Sequence, residues 1–126
     1  MSGITSGEPI EPTAEGQPGT EVQGEDDMEL YDIRVVVDRI EGRSVCGMEV
    51  GDCFEVRNSA QLSTEKHFCM YAIQAVLPMI PAKQRQLPAG DWMEQDAYVT
   101  CPDPEERLIM RIERGELRSM RSSDLT

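Results

Sequence analysis

The first 27 residues carry seven acids, Glu8, Glu11, Glu15, Glu21, Glu25, Asp26 and Asp27, and no lysine or arginine. The same stretch is rich in glycine, proline, serine and threonine, and its few apolar residues follow no period. Such a segment cannot bury enough apolar surface to offset the entropy of ordering it, so residues 1–27 are expected to form a disordered acidic leader. Folding is thereby confined to a single domain over residues 28–115, with a polar, frayed tail over 116–126. That is a small core, but one that can stand without disulfide staples.

Charge narrows the class further. The chain has 24 acidic side chains against 12 basic ones, a net charge of −12. A balance this acidic argues against a nucleic-acid partner, which is met by a basic footprint. No apolar run approaches the ~20 residues of a membrane span, and the opening MSGITSGEPIEP lacks the basic and apolar regions of a signal peptide. The expectation is a cytoplasmic protein with a protein partner or a small-molecule ligand, and neither nucleic acid nor membrane. The leader reads as a solvating tail, with docking on a basic partner as the sharper alternative.

Within 28–115 the periodicities point to an α+β domain. From Leu30 to Ile40, Tyr31, Ile33, Val35 and Val37 alternate with Asp32, Arg34, Val36 and Asp38, the pattern of a half-buried strand. Glu41-Gly42-Arg43-Ser44 turns the chain and a loop runs from Val45 to Gly51. Cys53 to Val56 then reads as a second strand antiparallel to the first, with Asn58 to Ser63 a polar connection. A helix is expected from an N-cap at Ser63 or Thr64 through Lys66 to Leu77, placing Cys69, Ile73, Val76 and Ile80 on one face beside Ala72 and Leu77. Pro78 and Pro81 end or kink it.

Ala97 to Cys101 reads as a third strand. The last element is ambiguous: Asp103-Pro104-Glu105-Glu106 resembles a helix start, yet Leu108, Met110 and Ile112 alternate with Ile109, Arg111 and Glu113. A strand is preferred, because three short strands alone would leave the helix poorly covered. The expected fold is a small antiparallel sheet of about four strands with one main helix packed on it. In a strand, Arg107, Arg111, Arg114, Arg118 and Arg121 are solvated charges; only a helix would gather them into a stripe.

Four cysteines, Cys46, Cys53, Cys69 and Cys101, fall within the folded part, and no two form a C-x-x-C pair. That leaves out the usual zinc-ribbon and thioredoxin signatures, and a reducing compartment disfavours structural disulfides. Cys46 lies in a glycine-containing loop, Cys69 at a helix start where the dipole favours a thiolate, and Cys101 at a strand end before a proline turn. Packing the helix across the sheet would let Cys69 approach Cys101, with Cys46 reaching the same end from its loop. Three soft ligands arranged this way suit zinc, copper(I) or an iron–sulfur cluster, with a fourth ligand from Cys53, His67 or a partner.

The plain alternatives stand beside this. Cys53, next to Phe54 in a strand, reads as core filling, and Cys69 and Cys101 divide between packing and chemistry. Cys46 is the hardest to explain by packing. His67, the only histidine, reads as an exposed residue one turn into the helix. Asp91, Asp96, Asp103 and Glu106 could include an acid–base pair, although a chain with 24 acids offers such pairs by chance. Met70, Met79, Met93 and Met110 read as core or gap filler.

In order along the chain, Cys46, Gly51-Asp52-Cys53-Phe54, Phe68-Cys69-Met70-Tyr71-Ala72, Trp92, Cys101-Pro102-Asp103 and Ile112-Glu113-Arg114 resemble a family of small, mostly uncharacterised prokaryotic proteins with three cysteines. Its members have a cysteine loop ending in Gly-x-x-Phe, a Phe-Cys helix start and a Cys-x-Asp turn before the last strand. The resemblance spans residues 28–115 and implies a compact α+β domain with Cys46, Cys69 and Cys101 as its distinctive positions. It carries no activity with it. The shorter loop from Cys46 to Gly51 and the extra thiol of Cys53 are departures from the pattern.

Three functions fit. The first is a cysteine-centred metal or iron–sulfur accessory protein acting with a redox or biosynthetic enzyme. The second is a small enzyme of specialised metabolism using Cys69 or Cys101 as nucleophile or acid–base group in a pocket beside Trp92 and Tyr98. The third is a non-catalytic interaction module whose cysteines merely pack. The first leads, because three separated thiols in a reducing setting need a reason.

Overall fold

A computed structural model describes residues 27–95 and 97–125 of the chain. The expected leader over 1–27 thus lies outside the described residues, apart from Asp27, which opens the first strand. The strands are β1 (Asp27–Ile40), β2 (Cys53–Arg57), β3 (Gln61–Thr64), β4 (Ala97–Thr100) and β5 (Leu108–Arg121). Two short helices, α1 (Met70–Val76) and α2 (Ile80–Lys83), lie between β3 and β4. The strands form one antiparallel five-stranded sheet in the order β3-β2-β1-β5-β4. This is the α+β fold with one main helix expected from the periodicities, with one strand more than anticipated. Among the described residues no helix is long and apolar enough to cross a membrane.

Alternation in β1 sets the layers. Ile33, Val35 and Val37 are at most 1% exposed and face the helices, together with Phe54 and Val56 of β2 and Leu108, Met110 and Ile112 of β5. Burying a side chain of this size contributes roughly 1.5–3 kcal/mol. Ala72, Val76 and Ile80 close the core from the helical side. The opposite face of the sheet is charged and laced by ion pairs, such as Arg111 to Asp38 and Arg118 to Asp32.

Several local expectations change. Gln61–Thr64 is a strand, so Ser63 and Thr64 do not cap a helix. Asn58 and Ser59 adopt φ of 50° and 74°, tightening the connection so that Arg57 pairs with Gln61 and the chain returns along β2. The helix begins only at Met70, with Cys69 as its extended N-cap residue, and His67 lies in the preceding loop. Pro78 sits in a single 3₁₀ turn, Leu77–Met79, that separates α1 from α2 and leaves Leu77 exposed. Met70 is exposed as well, whereas Met93 and Met110 are buried.

The last element is a strand, as expected, but it does not stop at residue 115. Residues 116–121, expected to fray, continue β5 and pair with β1 as far as Asp27↔Arg121. Between Ile33↔Arg114 and Tyr31↔Leu117, β5 carries one extra residue, which flips its alternation. Arg114 therefore reaches across the Tyr31 ring, 4.5 Å from its centroid, while Arg118 pairs with Asp32. No arginine stripe forms.

Candidate functional site

A close backbone approach builds the site. After β1, Glu41, Gly42 and Arg43 donate their backbone N–H groups to the carbonyls of Arg107, Glu106 and Glu105 at 3.1, 2.9 and 3.2 Å. Gly42 is required there, because a Cβ at this position would collide with the Glu105 carbonyl oxygen. The following loop is held by the Ser44 hydroxyl donating to the Met48 carbonyl at 2.8 Å, and by Gly47 at φ +75°. Its inner side presents Val45 and Cys46 to the turn that precedes β5.

That turn carries the helix-start signal read from the sequence, used only locally. The Asp103 carboxylate accepts from the Glu105 N–H at 2.9 Å, and the Asp103 carbonyl accepts from the N–H groups of Glu106 and Arg107. Arg107 then takes φ of 46° and the chain leaves as a strand. The result points Glu106 inward, where it is 1% exposed. Its Oε2 accepts the Val45 N–H at 3.0 Å, and the Cys46 thiol donates to the same oxygen at 3.4 Å, with Oε1 at 3.8 Å.

Cys69 and Cys101 complete the group. Phe68 packs edge-on against Phe54, ring centroids 5.0 Å apart, anchoring the segment that delivers Cys69. Cys101 is 4% exposed, and its backbone N–H bonds the Leu108 carbonyl at 2.8 Å. Cys46, Cys69, Cys101 and Glu106 together line a cavity of about 420 Å³, whose other walls are Val45, Tyr71, Pro102 and Asp103. All four cysteines are free thiols. Burial pushes the Cys46 thiol up to about 12, with the adjacent Cys69 thiol and the Glu106 carboxylate adding to the shift. Burial also raises Cys101, against the pull of the Asp103 N–H, with Cys69 and Glu106 adding to the rise.

The structure thus gathers the three cysteines expected to converge, but neither of the expected fourth partners. Cys53 alternates with the buried Phe54 and faces the other side of the sheet beside Arg34, so it neither fills the core nor meets the site. His67 is exposed, with its imidazole against Gly47. Trp92 and Tyr98, expected beside a pocket, are 63% and 50% exposed and do not line this cavity; Tyr71 takes that place. Of the acids, Asp91 accepts from the Met93 N–H, Asp103 holds its own turn, and Asp96 lies outside the described residues.

Glu106 is the site residue that sequence reading did not single out as a ligand. The signal was present: it is in phase with Leu108, Met110 and Ile112, the set that alternation assigns to the core. Among the described residues no lysine, arginine or histidine forms an ion pair with it. Nor do any three His, Cys, Asp or Glu side chains among those residues already stand in metal-holding geometry. Compared with family models, curated proteins and solved structures, the chain matches none. The site is therefore read from its own geometry.

Proposed function

We propose that the chain is a small metal-binding accessory protein that holds a soft metal ion or an iron–sulfur cluster through Cys46, Cys69 and Cys101 and acts beside a redox or biosynthetic enzyme. The observation that carries this reading is the meeting of these three thiols, from three separate segments, on one cavity. Cysteines that merely pack would be distributed through the core; here two of the three are only partly buried and share a solvent-reaching wall. Thiolates are soft ligands suited to zinc, copper(I) and iron–sulfur centres. On this reading, capture draws the sulfurs inward by rotation about χ1, between staggered wells. The resemblance to the three-cysteine family extends naturally to the same positions.

The test is elemental analysis with an absorption spectrum on protein purified without oxygen and without chelator. About one zinc or copper per chain, or iron with matching sulfide, is expected, and Cys46→Ser and Cys69→Ser should lose it. A folded protein that takes up no metal even when supplied with it overturns the reading. The cavity itself favours a second reading, a small cysteine-dependent enzyme, since about 420 Å³ can admit a small molecule. A single thiol alkylated far faster than the others, in metal-free active protein, would favour that enzyme.

A further inference from the structure

We infer that Glu106 is the fourth ligand of this site, and that the resulting donor set of three sulfurs and one oxygen takes a zinc(II) ion in preference to copper(I) or an iron–sulfur cluster. The inference rests on the metal reading above. Its starting point is a carboxylate that is 1% exposed and has no cationic partner among the described residues. A buried carboxylate needs donors or a cation, because desolvating it alone costs several kcal/mol. The side chain it meets is a thiol, Cys46 at 3.4 Å from Oε2, and Cys69 and Cys101 line the same cavity.

Metal binding changes that arrangement in one direction. A cysteine that ligates a metal does so as the thiolate, so Cys46 ceases to donate to Glu106 and the thiols that share its cavity become anions beside it. The carboxylate would then keep only the Val45 N–H, unless it shares the cation that the sulfurs hold. The spacing between Cys46 and Glu106 permits sharing. Zn–S near 2.3 Å and Zn–O near 2.1 Å at a tetrahedral angle place sulfur and oxygen about 3.6 Å apart. The Cys46 sulfur stands 3.4 and 3.8 Å from the two Glu106 oxygens.

The Val45 N–H on Oε2 fixes the carboxylate plane and turns Oε1 to the ion, the usual role of a hydrogen bond behind a metal ligand. The donor set also selects the metal. A carboxylate oxygen adds to a zinc site but suits copper(I) poorly, and iron–sulfur clusters are ordinarily held by four cysteines.

Zinc and copper(I) affinities of the full chain and its Glu106→Gln variant, by chelator competition, test this. The variant keeps the acceptor for Val45 and removes the charge. Zinc affinity is expected to fall at least about tenfold while copper(I) affinity stays within about twofold. Unchanged zinc affinity, or an equal loss for both metals, overturns the assignment while leaving the three-thiol reading standing. A wild-type chain that binds neither metal overturns both. Should the variant not fold, zinc-edge X-ray absorption on the wild type decides: three sulfurs and one oxygen support the assignment, and any other first shell refutes it.

Discussion

Two glutamates, Glu94 and Glu106, meet the same long strand in opposite ways. Glu94 faces Arg114 through two hydrogen bonds of 2.7 and 2.9 Å and accepts the Leu87 N–H at 2.9 Å. Arg114 in turn donates to the carbonyls of Lys83 and Arg85 and covers Tyr31. The hydrogen bonds from Arg114 hold the Glu94 carboxyl down at about 2. Glu106, just before β5 begins, is more deeply buried yet meets the Cys46 thiol and a backbone N–H. One carboxylate is satisfied by the protein's own cation and ties the α2 segment to the sheet. The other is met by a thiol and a backbone N–H and, on the reading proposed above, would share a cation from outside. The contrast separates a structural ion pair from a proposed binding position within one residue type and one small fold.

The largest effect is expected at Gly42. Gly42→Val drives a side chain into the Glu105 backbone and should lift the Cys46 loop from Glu106. A loss of about 2–4 kcal/mol in chemical denaturation, together with loss of metal uptake, is expected. Arg114→Ala should cost about 2–3 kcal/mol, because several charge-assisted bonds vanish together, yet leave metal uptake intact. Equal damage to metal uptake would erase the distinction between the two regions.

Acid sharpens the comparison. Because Arg114 depresses the folded value of Glu94 below its usual 4.5, the resulting stability is present above that value and drains away as pH falls towards 2. Arg114→Ala should flatten that part of the stability–pH curve. In the metal-free protein, alkylation of Cys46 should climb about tenfold per unit from pH 7 to 10 without a plateau, since its thiolate forms only near 12. Peptide mass mapping would follow it, and an early plateau would contradict the raised thiol. The smallest effect belongs to the exposed Arg34–Glu113 pair, whose removal should change stability by under about 1 kcal/mol.

Much of the fold was legible because alternation is a local property. β1 and its buried face, the antiparallel β2, and the strand character of Leu108 to Ile112 all follow from period-two patterning. What local pattern could not show was cancelled or extended by pairing. Ser63 and Thr64 look like helix caps, but β2 offers them a partner strand. Residues 116–121 look like a polar tail, but β1 offers a partner strand from Leu117 to Arg121. The convergence of Cys46, Cys69 and Cys101 was a topological expectation and the cavity they share agrees with it. The expected fourth ligands failed for two reasons: Cys53 has the wrong parity, and the helix starts too late to carry His67.

By itself the sequence determined the chain's acidity, the strand period, the break in the helix at Pro78 and the four thiols, all of which are set by residue type and spacing. Only the tertiary structure decided which acid among 24 is buried beside those thiols. That choice depends on Gly42 admitting one backbone against another, and on Arg107 turning the chain at positive φ so that Glu106 faces inward. The first is a contact between segments distant along the chain, which no window of sequence contains, and the second is a local turn whose direction matters only once that contact is made.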